Sequence, residues 1–271
     1  MLIFPNAKIN LGLHVVEKRP DGYHNLETVF YPVPLYDVLE IVETAGEEVK
    51  FFNYGTIVDA PFDKNSCVKA YRLIREKYHV PASEIHLYKH IPSGAGLGGG
   101  SSDATHTLLL INRLYNLDIP LATLAEMALQ LGSDCPFFLY NKPMFATGRG
   151  EVLEPIELSL SGKYIVLVKP PLHLSTAEAY RGIVPQKPAH DLRQVVQMPV
   201  AQWRQYLKND FEVPIFEKYP LLKDIKNELY AMGAVYAAMS GSGSTLYGIF
   251  DREVKLSSVF TGCFVWTGLL P

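Results

Sequence analysis

The chain has 271 residues, 48% hydrophobic and 20% charged, a profile that suits a globular protein with room for two modest domains. Its 25 basic and 28 acidic residues leave a net charge of −3, which gives no footing for a general role on nucleic acid or on a membrane surface. Cys67, Cys135 and Cys263 are widely spaced without a Cys-x-x-Cys pair, and no signal peptide or 18-residue apolar run is evident, so a soluble cytoplasmic protein with reduced thiols is expected.

From the N-terminus, residues 7–16 alternate. Ile9, Leu11, Leu13 and Val15 share one face, with Lys8, Asn10 and His14 on the other, as in a half-buried strand. A turn at Asp21-Gly22 precedes strand-like segments at Leu26–Phe30, Val38–Val42 and Val49–Tyr54. Ser66 is the expected N-cap of a helix running to Tyr78, and Ile85–Ile91 reads as a strand. Helices are expected at 104–115, 121–131, 176–182, 200–207 and 221–232, with strands at Met144–Thr147, Tyr164–Val168, Ala234–Met239 and Thr245–Phe250. The order favours α+β over alternating βαβ, with a domain boundary in Glu154–Gly162. His86 and His90 share a strand face, but four residues of strand span ~13 Å, too far for both to reach one metal ion.

The densest signal is Pro92-Ser93-Gly94-Ala95-Gly96-Leu97-Gly98-Gly99-Gly100-Ser101-Ser102-Asp103. Glycine lets the backbone take positive φ and approach a bulky anion. Ala104, Leu108, Ile111 and Tyr115 follow at helical spacing, so the run opens into a helix N-terminus, where free N–H groups and the dipole favour a phosphate. A dinucleotide fingerprint would need a strand ending in an acidic residue about 20 positions on, and none stands there. A Walker A loop fails because no Gly-Lys-Ser/Thr closes the motif. The plain structural alternative is a glycine loop capped by Ser102 or Asp103.

Three separated blocks now coincide: Ala7-Lys8-Ile9-Asn10-Leu11, Pro92 to Ser102, and Gly241-Ser242-Gly243-Ser244 resemble the three motifs of the GHMP kinases. Four finer blocks are Gly22-Tyr23-His24, Gly132-x-Asp134-x-Pro136-Phe137-Phe138, Ser175-Thr176-Ala177-x-x-Tyr180 and Asn209-Asp210-Phe211-Glu212. They resemble the branch that phosphorylates cytidine diphosphate methylerythritol in non-mevalonate isoprenoid synthesis. Ser133 departs from the small apolar residue more usual in that branch.

The resemblance implies a two-domain α+β GHMP kinase fold, with a ribosomal protein S5 domain 2-like N-terminal domain (1–158) and a ferredoxin-like C-terminal domain (159–271). It implies ATP and Mg²⁺ as cofactors, a small-molecule acceptor, no nucleic-acid or membrane partner, and a monomer or homodimer. By the same resemblance Asp134 is the base and Lys8 the charge stabiliser, while Asn10 touches the acceptor near its reacting hydroxyl. Tyr23 and Tyr180 are the aromatic walls around cytosine, His24 reads the base edge, and Gly241 and Ser242 close over acceptor or phosphates. ATP falls to Asn65 near adenine and to the run Pro92, Ser93, Gly94, Ala95, Gly96, Leu97, Gly98, Gly99, Gly100, Ser101 and Ser102. Backbone N–H groups from Gly96 onward hold the phosphates in this reading, and Ser101 or Ser102 approaches Mg²⁺. The rivals are another GHMP kinase of homoserine or mevalonate type and a catalytically silent nucleotide-binding regulator.

Overall fold

The computed structural model describes residues 1–57, 61–256 and 260–271. The strands are β1 (Leu2–Ile3), β2 (Asn6–Lys18), β3 (His24–Tyr36), β4 (Val38–Glu43), β5 (Lys50–Gly55), β6 (Ser83–Lys89), β7 (Met144–Thr147), β8 (Val152–Pro155), β9 (Tyr164–Lys169), β10 (Tyr236–Met239), β11 (Leu246–Phe250) and β12 (Phe264–Leu269). The α-helices are α1 (Ser66–Arg75), α2 (Gly99–Leu114), α3 (Leu121–Leu131), α4 (Phe137–Tyr140), α5 (Thr176–Tyr180), α6 (Leu192–Val195), α7 (Val200–Tyr206), α8 (Glu212–Lys218) and α9 (Pro220–Ala231). They pack as two units. One comprises Met1–Ala7, Leu35–Ser93 and Gly98–Asn141, and the other Lys8–Pro34, Gly94–Leu97 and Lys142–Pro271. These packing units are not the sequence segments 1–158 and 159–271, because Lys8–Pro34 packs with the later part of the chain.

In the first unit one sheet has the order β1-β4-β6-β5, with β5 parallel to β6 and the other pairs antiparallel. Alternation along β6 buries Ser83, Ile85, Leu87 and Lys89 and turns Glu84, His86 and Tyr88 outward. Ile85 and Leu87 meet Leu39 and Ile41 of β4, Tyr71 and Ile74 of α1, Leu108 and Ile111 of α2, and Met127 of α3 in a single apolar cluster. Truncating one of these aliphatic side chains to alanine removes about 2–5 kcal/mol. The cap of α1 is Asn65, not Ser66: its Oδ1 accepts from the amides of Cys67 (2.9 Å) and Val68 (3.4 Å). The helix stops at Arg75, short of Tyr78. His86 stacks on Phe52, ring centroids 4.8 Å apart, and no group of three or more metal-binding side chains occurs among the described residues.

The second unit holds two sheets, ordered β2-β3-β7-β8 and β10-β11-β9-β12. All pairs in the latter are antiparallel, and α9 packs on β10 and β11. Leu222, Ile225 and Leu229 of α9 join Val166, Val168, Ala237, Met239, Leu246 and Phe250 in its core, which is the 3.6-residue stripe meeting the two-residue alternation. The half-buried reading of residues 7–16 is corrected, since Lys8 and Asn10 are each only 3% exposed and His14 8%. The polar face of β2 is covered by further chain: Tyr247 donates its hydroxyl to the Asn10 carbonyl at 2.8 Å, and Asp210 pairs with His14 at 3.1 Å. Helices α6 and α8 and strands β8 and β12 were not expected from periodicity, being short or of mixed burial.

Candidate functional site

The glycine run ends in α2, which begins at Gly99, five residues before the expected start at 104. Gly98 caps it in the left-handed conformation (φ +70°) with no side-chain cap, so neither Ser102 nor Asp103 plays that part. The first intrahelical bond runs from the Ser102 amide to the Gly98 carbonyl at 2.9 Å. That leaves the amides of Gly99, Gly100 and Ser101 without an acceptor inside the helix, the arrangement that receives an anion. Two expectations change as a result. The Ser102 amide is spent on the helix. Its side chain is buried, with Oγ 3.2 Å from Nδ1 of His106, so Ser101 is the hydroxyl left at the helix mouth.

Not every glycine serves an anion. At Gly96 (φ +74°) a Cβ would lie 2.0 Å from the Ser240 carbonyl oxygen, so the close approach here is backbone to backbone. The two glycine motifs are in direct contact within the second unit: Ser240 Oγ donates to the Gly96 carbonyl at 2.8 Å, and the Thr245 amide to that of Ala95 at 3.2 Å. The Asn10 amide donates to the same Ser240 Oγ at 3.3 Å, and the Lys8 amide to the Leu97 carbonyl at 2.9 Å. On the side-chain level Lys8 Nζ donates to Asn10 Oδ1 at 2.7 Å and sits 4.7 Å from the centre of the Phe30 ring. Asn10 Nδ2 in turn donates to Thr28 Oγ1 at 3.0 Å, which fixes the amide's orientation. A Cβ on Gly241 would come 3.3 Å from Asn10 Oδ1. Lys8, Asn10, Gly96 and Gly241, drawn from three blocks of sequence, thus gather around Ser240. Ser242 stands next in the same turn, half-buried.

Asp134 lies in the first unit, half-buried in the turn between α3 and α4. That turn is tied to the start of α2, because Thr105 Oγ1 donates to the Cys135 carbonyl at 2.8 Å and Ser101 hydrogen-bonds with the Cys135 thiol. Burial pushes that thiol up to about 11, so it is no nucleophile at neutral pH. Asn65, expected near adenine, has its carboxamide oxygen engaged as the α1 cap. Pro92 is half-buried, and Ser93 and Gly94 are exposed.

Also in the second unit, His24 stacks on Tyr180 with ring centroids 4.7 Å apart and planes 20° apart. His24 therefore presents a ring face to Tyr180. Burial and the nearby Lys18 ammonium lower its pKa, so the imidazole is neutral at pH 7. Tyr23 is 56% exposed, with the Arg149 guanidinium 4.9 Å from its ring centre, an aromatic–cation pair not foreseen from the sequence.

Below the start of α2 lies a charge cluster that the sequence reading missed. Lys89 Nζ donates to Asp37 Oδ2 and, at 2.8 Å, to Asp103 Oδ2, all three side chains being sealed from solvent. Asp37 Oδ1 also accepts from the amides of His90 (2.5 Å) and Ile91 (2.8 Å), the segment that leads into the glycine run. The available signal was a lysine in register with Ile85 and Leu87 on the core-facing side of a strand.

Family models for the GHMP kinases N terminal domain and the GHMP kinases C terminal match residues 65–142 and 190–261. Over its full length the chain is 50% identical to a 4-diphosphocytidyl-2-C-methyl-D-erythritol kinase of Parabacteroides distasonis, covering 100% of both. It is 49% identical to the Bacteroides thetaiotaomicron protein of the same name, covering 98% of each. A crystal structure of a 4-(cytidine 5'-diphospho)-2C-methyl-D-erythritol kinase matches with a TM-score of 0.82 at 31% identity, over 100% of this chain and 99% of that one.

Proposed function

The chain belongs to the GHMP kinase family, and within it to the 4-diphosphocytidyl-2-C-methyl-D-erythritol kinases; from an ATP-dependent small-molecule kinase of isoprenoid synthesis so placed, we propose one specific reaction. The γ-phosphoryl group of ATP passes directly to the 2-hydroxyl of 4-diphosphocytidyl-2-C-methyl-D-erythritol, giving ADP and the 2-phosphate. The observation that carries this reading is the gathering of Lys8, Asn10 and both glycine motifs around Ser240.

Phosphoryl transfer asks for positioning and charge stabilisation more than for covalent chemistry. In this reading the amides of Gly99, Gly100 and Ser101 receive the nucleotide phosphates at the positive end of α2. The donors there suit an anion, and the Ser101 hydroxyl at the helix mouth suits a Mg²⁺ ion, which takes few protein ligands and keeps its waters. Bound Mg²⁺ supplies charge neutralisation for the phosphates.

Asp134 takes the proton of the acceptor hydroxyl as its oxygen bonds to the γ-phosphorus, while the bond to the β-phosphate oxygen breaks and its electron pair leaves on ADP. A free aspartate has a pKa near ~3.9, so the proton moves only as the alcohol oxygen becomes bonded to phosphorus. Lys8, oriented by Asn10 Oδ1 and sealed from bulk water, offsets the charge on the transferring group. Asn10 orients the acceptor hydroxyl from the same strand, and Gly241 and Ser242 line the acceptor side. The cytosine stacks with Tyr180, with Tyr23 and His24 as its neighbours.

The test is incubation with Mg-ATP and the cytidine diphosphate substrate, with mass analysis for an added phosphoryl group. Transfer to homoserine or mevalonate instead, or ATP binding without transfer to any acceptor, overturns the proposal.

A further inference from the structure

The block Asn209-Asp210-Phe211-Glu212 has no part in the reaction above, yet its side chains tie together three parts of the second unit, the Met239–Gly241 segment, β2 and Tyr180. Asn209 is 3% exposed, and its Nδ2 donates to the carbonyls of Met239 and Gly241, both at 2.8 Å, so one amide holds the two residues that flank Ser240 where the turn opens. Its Oδ1 accepts the Phe211 amide at 3.0 Å, which fixes which end of the carboxamide points at the loop. Asp210 accepts the Val15 amide at 2.8 Å and pairs with His14, while the Asp210 amide bonds the Leu13 carbonyl at 2.9 Å. These bonds clamp the block to β2, the strand that carries Lys8 and Asn10.

Phe211 is 2% exposed and meets Tyr180 edge-on, centroids 4.8 Å apart at 81°, behind the face-to-face pair that Tyr180 makes with His24. Glu212 accepts the Met239 amide at 2.8 Å and ties it to Lys226 of α9. The block closes on itself through the Glu212 amide and the Asn209 carbonyl at 3.0 Å, so it moves as one turn.

We propose that Asn209 and Phe211 are positioning residues for the phosphoryl acceptor. One rigid turn sets the aromatic wall at Tyr180 and the Ser240–Ser244 loop at a fixed spacing from each other and from β2. The base end of the substrate thereby determines where its hydroxyl end lies. This rests on the acceptor reading above. Asn209 acts on the loop and Phe211 on the ring, so the two defects separate: Asn209 governs kcat, and Phe211 governs affinity for the cytidine end.

Two variants test this. Asn209→Asp keeps the acceptor for the Phe211 amide but turns a carboxylate oxygen toward two carbonyls. Phe211→Leu keeps most of the buried volume but removes the ring edge. For Asn209→Asp we expect kcat to fall at least tenfold, with the KM for ATP and the Kd for cytidine diphosphate within twofold. For Phe211→Leu we expect the Kd for cytidine diphosphate to rise at least fivefold, with the KM for ATP within twofold. Amide exchange at Ser240–Thr245 should quicken in Asn209→Asp and stay unchanged in Phe211→Leu. If either variant proves too unstable to purify, Asn209→Ser and Phe211→Met take its place under the same criteria, methionine filling much of the same volume without a ring. Equal losses for both substrates in both variants, or no change beyond twofold, overturn the proposal. Should the wild-type protein neither bind cytidine diphosphate nor phosphorylate the acceptor, the function itself fails. Amide exchange in Asn209→Asp then still decides whether Asn209 holds the loop.

Discussion

Lys89 Nζ lies 2.8 Å from Asp103 Oδ2 in the interior of the first unit and also donates to Asp37, one cation shared by two buried carboxylates. The lysine reaches that place because β6 alternates and Lys89 falls on the same face as Ile85 and Leu87. The same ammonium is 2.8 Å from where a Cβ on Gly99 would stand, so it lies directly against the first turn of α2. Removing the cation leaves two carboxylates desolvated with nothing between them, which costs about 3–5 kcal/mol. Lys89→Met should lower stability by that amount in urea unfolding. A loss under 1 kcal/mol means the cluster is not a structural tie.

Asp103 offers a pH signature of the same cluster. Asp37 collects three donors, whereas Asp103 Oδ1 has no hydrogen-bond partner among the described residues. Burial first, opposed by Lys89 and reinforced by Asp37, pushes the Asp103 carboxyl up to about 7 from 3.8. Between about pH 4 and pH 7 the folded state then holds a proton that the unfolded chain has released. Its stability contribution falls as pH rises through that window. Asp103→Asn mimics the neutral carboxyl and removes this dependence. The difference in unfolding free energy between wild type and Asp103→Asn should therefore shift in the variant's favour from pH 4.5 to pH 7. A constant difference across that range excludes Asp103 as the titrating group.

Gly96 permits a test of the contact between the two glycine motifs. Alanine there is opposed twice, by φ of +74° and by the Ser240 carbonyl oxygen 2.0 Å from the new methyl. Backbone strain of this kind is worth about 1–3 kcal/mol, so the loops must separate. We expect Gly96→Ala to lose at least tenfold in kcat/KM for both substrates. Gly100→Ala, whose Cβ meets only Ser66 Oγ at 3.4 Å, should perturb folding far less. Equal stability of the two variants would show that the close approach at Gly96 is not required.

Tyr180 addresses the cytidine end. Its ring already stacks with His24 and meets Phe211 by an edge, so it is held before any base arrives. Stacking a base on an aromatic ring is worth about 1–3 kcal/mol. Tyr180→Ala should raise the KM for the cytidine substrate about 5–150-fold and leave the KM for ATP unchanged. An unchanged cytidine KM rules out the ring as a base platform.

How far the sequence led is clearest at particular positions. Helical spacing located α3 to the residue, and β7 was located to the residue as a short apolar run whose Met144, Phe145 and Ala146 are all buried. The same logic misjudged β2, since alternation reports which residues share a face but not whether more chain covers the polar one. It started α2 late because Gly99 and Gly100 carry no periodic signal, although Gly99 is helical at a place where Lys89 and Ile91 leave no room for a side chain. The three motif blocks were legible through resemblance, and Lys8 and Asn10 through their shared side of a strand. The ties that set them, such as the Asn209 carboxamide on the Ser240 turn, join residues 30 or more positions apart and leave no local pattern. The stacking of His24 on Tyr180, 156 positions away, was invisible for the same reason.

Lys8 and Asp134 carry the sharpest test of the reaction. Lys8 is 3% exposed and donates to Asn10 Oδ1 at 2.7 Å, while Asp134 stands half-buried in a turn fixed to α2 by Thr105. Neither side chain belongs to the apolar clusters of the two units, so conservative replacement should change chemistry more than stability. A general base contributes ~10²–10⁴-fold, and Asp134→Asn retains shape while losing the capacity to accept a proton. Its kcat should fall by that factor, with ATP affinity within a fewfold. Lys8→Met keeps much of the aliphatic stem and deletes the charge that sits over the Phe30 ring, and it too should act on kcat. Asn10→Ala should then produce a smaller loss, since the ammonium survives but is no longer steered. If Asp134→Asn or Lys8→Met retains turnover within a fewfold of wild type, that residue has no catalytic role and the acceptor proton leaves by another route.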